Sequence, residues 1–198
     1  AIEKIMTKRF GFTLAEVLIT LGIIGVVAAM TMPTLINQTN GAQYKAAYKK
    51  ALSAISQGVT LNVALDDESF ADVSAGTAGA TTKVSSKTSV ASLLASRMNV
   101  VKTSGAPTGY SPTIGTGNLT VDINGTTKNV TRPTLDTYMF FNDSSMFAFA
   151  SSAAACKDSA PCAGYIDVNG EKGPNKEGTD SSSPTDIYPV VFYDQTIL

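Results

Sequence analysis

Residues 12–32 read FTLAEVLITLGIIGVVAAMTM, an apolar run that carries a single carboxylate, Glu16. From Val17 to Met30 the only polar side chain is that of Thr20. Folded as a helix at about 1.5 Å per residue, this run spans about 30 Å, the hydrocarbon thickness of a bilayer. Lys4, Lys8 and Arg9 lie just upstream, so the positive-inside tendency keeps the N-terminus cytoplasmic and exports the rest. A cleaved signal peptide would need small residues after the apolar run, and Met30-Thr31-Met32-Pro33 supplies a poor site. A plain signal anchor tolerates a carboxylate badly, at about 2.5–3.5 kcal/mol in mid-membrane and less near an end, where Glu16 sits.

The stretch Gly11-Phe12-Thr13-Leu14-Ala15-Glu16-Val17-Leu18-Ile19 closely resembles the cleavage and methylation motif of the type IV pilin and type II secretion pseudopilin superfamily. The resemblance is strong over about residues 6–60 and elsewhere rests on general layout. It implies a cut by a membrane prepilin peptidase between Gly11 and Phe12, then N-methylation of the Phe12 amine. Glu16 becomes the fifth residue of the processed chain, and Pro33 the twenty-second, where many pilins carry a helix-kinking proline. In the family the glutamate of one subunit neutralises the amine of its neighbour and sets the register of the growing filament. A lone buried carboxylate is unfavourable unless paired, which suits that role. The bland alternative is that Glu16 snorkels to the membrane interface. The leader reads as residues 1–11, with a start at Met6 and an upstream extension or start-site artefact over 1–5.

Beyond the leader we expect a membrane and assembly helix over 12–33, an amphipathic continuation over 34–66, and a β-rich head over 67–198. Pro33 lacks an N–H and clashes with the preceding turn, so it predicts a kink. Tyr44, Tyr48, Leu52, Ile55 and Val59 recur every three or four residues and make one apolar stripe. The long helix should run from Phe12 to about Leu65 and stop at Asp66-Asp67.

In the head, residues 73–89 are rich in Ala, Gly, Ser and Thr and read as a loop. Ser89 to Val101 reads as a short helix with Ser89 as N-cap, and Thr103 to Val121 as a second loop. The period then changes to two. Leu119–Ile123, the turn Asn124-Gly125 and Thr126–Val130 predict a hairpin. Thr137–Phe141 and Met146–Ser151 predict another, with further strands at Gly164–Val168 and Ile187–Tyr193. The fold class is α+β, a long N-terminal helix with a C-terminal antiparallel head, as in pilins.

The chain has 15 basic and 16 acidic residues, a net charge of -1, and no His. The near-neutral balance gives no reason to expect nucleic acid as a partner. Absence of His removes Ser-His-Asp and Cys-His catalysis. No nucleophile motif or phosphate loop stands in for them, so we expect no enzyme. Cys156 and Cys162 read as a small-loop disulfide in an exported protein and as free thiols in a cytosolic one. The N-terminus favours export.

Asp167-Val-Asn-Gly-Glu-Lys-Gly-Pro-Asn175 sets Asp and Asn beside Gly, which offers hard oxygen ligands on a tight turn. It does not match the spacing of an EF-hand. It is similar to a C-terminal segment of many pseudopilin-like proteins, some of which bind calcium there. That resemblance implies Asp167, Asn169 and Asn175 as ligands, with Asp180 or Asp186 as the later carboxylate. The competing reading is a hydrogen-bonded Asx turn with no metal. No cofactor other than calcium is expected.

The resemblance makes the chain a structural subunit of a type IV pilus or a secretion pseudopilus. Its partners would be other pilin subunits, the prepilin peptidase, an inner-membrane assembly platform and the membrane itself. It would be stored in the inner membrane of a bacterium, then placed in a periplasmic or extracellular filament. The alternative is a minor or tip pilin acting as adhesin or assembly primer.

Overall fold

The computed structural model describes residues 11–81, 88–178 and 184–198. The chain divides into two compact units, one ending at Thr39 and the other covering Asn40–Leu198. One helix, α1 (Leu14–Asp66), contributes to both.

In the first unit α1 is long and apolar enough to cross a membrane, by length and composition. Its large side chains, including Leu18, Ile19, Ile23, Ile24 and Leu35, are exposed. Its hydroxyls turn back onto the helix. Thr20 donates to the carbonyls of Glu16 and Val17 at 2.9 Å each, and Thr31 donates to that of Val27 at 3.0 Å. Such back-bonding pairs these hydroxyls within the helix itself, as an apolar surrounding requires. Helical structure continues through Pro33.

In the second unit the stripe predicted from the sequence is partly shifted. Ala51, Ile55, Gly58, Val59 and Asn62 are buried, while Tyr44, Tyr48 and Leu52 pack half-buried beside them. Polar Asn62 is buried at no cost in unmet bonds. Its amide donates to the carbonyls of Leu93 (2.8 Å) and Gly58 (3.0 Å), and its oxygen accepts from Ser96. This ties α1 to α2 (Val90–Arg97), which Ser89 caps as expected by accepting from the Ser92 N–H.

A six-stranded antiparallel sheet lies against these helices, in the order β1 (Val100–Ser104), β4 (Thr137–Phe141), β5 (Met146–Phe149), β6 (Cys162–Asp167), β7 (Ile187–Tyr193) and β8 (Thr196–Ile197). Met139, Phe141, Phe147, Phe149, Ile166 and Phe192 share one core with α1 and α2. The alternate residues form two smaller clusters. Ala163 and Val191 pack with Val130, Leu119 and Val121 of the separate hairpin β2 (Leu119–Ile123) and β3 (Thr126–Val130). Tyr138, Met146 and Ala148 pack with Tyr110.

Five expectations need correction. The helix expected over Ser89–Val101 stops at Arg97. Met98 has an extended backbone (ψ 151°), and Val100 and Val101 enter β1. Val101 is 68% exposed. The loop expected over Thr103–Val121 loses its first two residues to β1 and its last three to β2. The strand placed at Met146–Ser151 stops at Phe149, the one placed at Gly164–Val168 is Cys162–Asp167, and β8 has no counterpart among the expected strands. For β1 pairing with a distant partner, Phe140 against Lys102 for example, set the boundary; β8 is a two-residue return that pairs locally with the end of β7.

Candidate functional site

Two places carry chemistry, one in each unit. The first is the start of α1. Thr13 precedes the helix, and its backbone N–H donates to Glu16 Oε2 at 3.0 Å. In return the Glu16 N–H donates to Thr13 Oγ1 at 3.2 Å. This is a capping box, which satisfies two of the helix's orphan N–H groups and sets an anion against the positive end of its dipole. Phe12 is exposed beside it. Glu16 stands out in the sequence by its charge, whereas Thr13 is marked only by the spacing Thr-x-x-Glu, which was not among the expectations above. Glu16 is thus held by its own chain, in a geometry that also keeps it next to the Phe12 end.

The second place is the loop between β6 and β7. Asp167 ends β6, and Asp186 stands just before β7. Both are buried, at 1% and 0% exposure. Asp167 Oδ2 accepts from the Tyr110 hydroxyl at 2.8 Å, and its Oδ1 from the Asn169 N–H at 3.2 Å. The two oxygens of Asp186 accept from the backbone N–H groups of Lys176 (2.8 Å) and Asn175 (2.9 Å). Burial pushes the Asp167 carboxyl up to about 7; the Tyr110 hydrogen bond opposes this, and the charge of Asp186 adds to it. The side-chain oxygens of Asn169 and Asn175 are buried and accept nothing. Their amide groups turn away, to the carbonyls of Gly173 (3.1 Å) and Glu171 (3.5 Å).

Asp167, Asn169, Asn175 and Asp186 therefore belong to one loop; Asp180 lies outside the described residues. Among the described residues no group of three or more His, Cys, Asp or Glu could hold a metal. The donors here are two carboxylates and two amide oxygens. All are hard oxygens, two have no other partner, and the two carboxylates repel each other. That set fits a calcium ion. The Asx contact from Asn169 to Asp167 is also present.

Cys156 and Cys162 form a disulfide whose Cα atoms lie 5.3 Å apart. Around it the Cys156 N–H donates to Phe70 O (2.9 Å), Asp194 N–H to Cys156 O (2.8 Å), and Phe70 N–H to Asp194 O (2.8 Å). The exit of α1, the disulfide and the β7–β8 turn are stitched at one point.

A family model for the prokaryotic N-terminal methylation motif matches residues 6–32. The match spans Gly11, Phe12, Thr13 and Glu16 and ends one residue before Pro33. An apolar helix that leads into an antiparallel β head, with this motif at its start, is a pilin-like architecture. The chain carries the signature of the type IV pilins and pseudopilins, a structural family and not a family of enzymes. No curated protein and no solved structure matches the chain.

Proposed function

We propose that the chain is a prepilin, cut between Gly11 and Phe12, methylated on the Phe12 amine, and polymerised through helices 12–33 into a type IV pilus or a secretion pseudopilus. It waits in the inner membrane and leaves it for the filament. It works as a structural subunit, with other pilin subunits, the prepilin peptidase and the assembly platform as partners.

The observation that carries this reading is Glu16. It is the single carboxylate in an exposed apolar stretch, inside the matched motif, at the helix end nearest Phe12. A cut at Gly11 releases an amine that can pair with it on the next subunit. Glu16→Ala should leave membrane insertion unchanged and abolish filament incorporation. Membrane fractionation and immunogold labelling of sheared filaments measure the two. Normal incorporation of the mutant would sink the proposal.

The loop 167–186 supports a second element of function, a calcium ion that holds the C-terminal part of the head together. Its support is the pair of orphaned amide oxygens in the same loop as two buried carboxylates. At free calcium about a hundredfold above Kd the folded head should gain about 2.7 kcal/mol, with a matching rise in Tm. An unchanged Tm at millimolar calcium would argue for the metal-free Asx turn.

A further inference from the structure

Residues 105–118 form an uncharged, largely exposed segment between β1 and β2. Its hydrogen bonds to other parts of the described chain converge on one place. Tyr110 donates its hydroxyl to Asp167 Oδ2 at 2.8 Å. The Thr113 N–H donates to Asn175 O at 2.8 Å, and Thr113 O accepts from the Glu177 N–H at 2.9 Å. The Gly115 N–H donates to Glu177 Oε2 at 2.7 Å. A short parallel bridge, Thr113 to Lys176, results. So a segment with no helix or strand of its own is fastened to the loop that carries the candidate calcium donors, and two of its anchors, Asp167 and Asn175, belong to that donor set.

We infer that Tyr110 is a positioning residue for this loop, and that segment 105–118 and loop 167–177 order together when calcium binds. This rests on the calcium reading above. A carboxylate has lone pairs enough to accept from Tyr110 and Asn169 and still offer others to a cation. The Tyr110 hydroxyl fixes the rotation of Asp167, as outer-shell partners fix metal-ligating carboxylates. Without the cation, Asp167 and Asp186 repel across the loop, and the segment hung on that loop loses its anchors. With it, the repulsion is cancelled and the backbone bonds from Thr113 and Gly115 gain a rigid acceptor. The outcome is a surface patch of the head, far from residue 167 in sequence, whose order depends on calcium.

The test compares the full chain with Tyr110→Phe in detergent micelles. Phe keeps the ring, which packs edge-on against Tyr138 at 5.7 Å, and removes only the hydroxyl. Calorimetry with calcium chloride measures affinity, and hydrogen exchange with saturating calcium or with chelator measures order. In the unmodified chain calcium should slow exchange over 108–116 about tenfold, along with 169–177. Tyr110→Phe should bind calcium about tenfold more weakly. At saturation it should still protect 169–177 while most of the gain over 108–116 is lost. A purely structural hydroxyl would lower protection equally with and without calcium, and that result would overturn the inference. Calcium binding with no change over 108–116 in the unmodified chain would overturn the coupling and leave the calcium loop standing. No calcium heat in the unmodified chain would overturn both.

Discussion

Arg132 lies with its guanidinium against Glu177, at 2.7 and 2.9 Å, and donates to the Tyr165 hydroxyl at 2.6 Å. The side chains are 16% and 5% exposed, so this ion pair is shielded from water. Desolvation makes such a pair a poor source of net stability, but removing one partner leaves the other as an uncompensated buried charge. Arg132→Met should therefore cost about 3–5 kcal/mol, read as a fall in the urea midpoint of head unfolding. Adding Glu177→Met should restore much of the loss. A double mutant no more stable than the single one would show that the charge stranded on Glu177 does not dominate the loss, and that its bond from the Gly115 N–H matters as much. None of this was legible beforehand, because Arg132 and Glu177 are 45 positions apart. Glu16 was legible, since a carboxylate in an apolar run stands out from its neighbours alone. Its partner Thr13 needed only the local capping pattern.

Elements show the same division between local and distant causes. The hairpin β2–β3 falls where the sequence predicts it, because Asn124 and Gly125 both adopt positive φ (53° and 75°), the requirement of a tight two-residue turn. β1 was divided between an expected helix and an expected loop, because its start continues a helical apolar pattern until β4 supplies a pairing partner for Val100 and Lys102. Gly164 is a similar case, an unmarked glycine in β6 whose role comes from two neighbouring elements. A Cβ there would lie 2.9 Å from the Ala148 carbonyl oxygen and 2.9 Å from the Phe147 ring. The carbonyl belongs to the adjacent strand β5 and cannot yield without opening the sheet. Gly164→Ala should therefore destabilise the head by about 1–3 kcal/mol. Gly58→Ala makes the matching control. Its Cβ would also meet an atom at 2.9 Å, but that atom is Met98 Cγ on a flexible side chain. The roughly 1 kcal/mol gained in helix propensity offsets the adjustment. Denaturant midpoints of the two variants should differ in that order, and equal losses would contradict the distinction between backbone and side-chain contacts.

At the scale of the whole chain, the two compact units place opposite demands on one helix. Up to Ile36 the large apolar side chains of α1 are exposed, and they suit lipid or a bundle of like helices. The first buried position of α1 is Ala51, and Ile55, Val59 and Asn62 follow it into the head. The exposed apolar residues of α1 are thus separate from those it buries in the head. A protein of residues 40–198 keeps every buried position of α1, the disulfide and both long loops, and loses only the exposed apolar run. It should be a soluble monomer that unfolds cooperatively at the temperature of the full chain in detergent. A cut at residue 57 tests the other side of the boundary. It removes Ala51 and Ile55, and losing a buried Ile side chain alone costs about 2–5 kcal/mol, so that fragment should be unfolded or aggregated. Size-exclusion chromatography and thermal unfolding by circular dichroism distinguish the outcomes. Failure of 40–198 to fold would mean that the head depends on residues before Asn40. Because the 40–198 protein lacks Phe12, Glu16 and the apolar run, it should also stay out of filaments when expressed beside the full chain. Its incorporation would show that heads assemble without the helix, against the role proposed for Glu16.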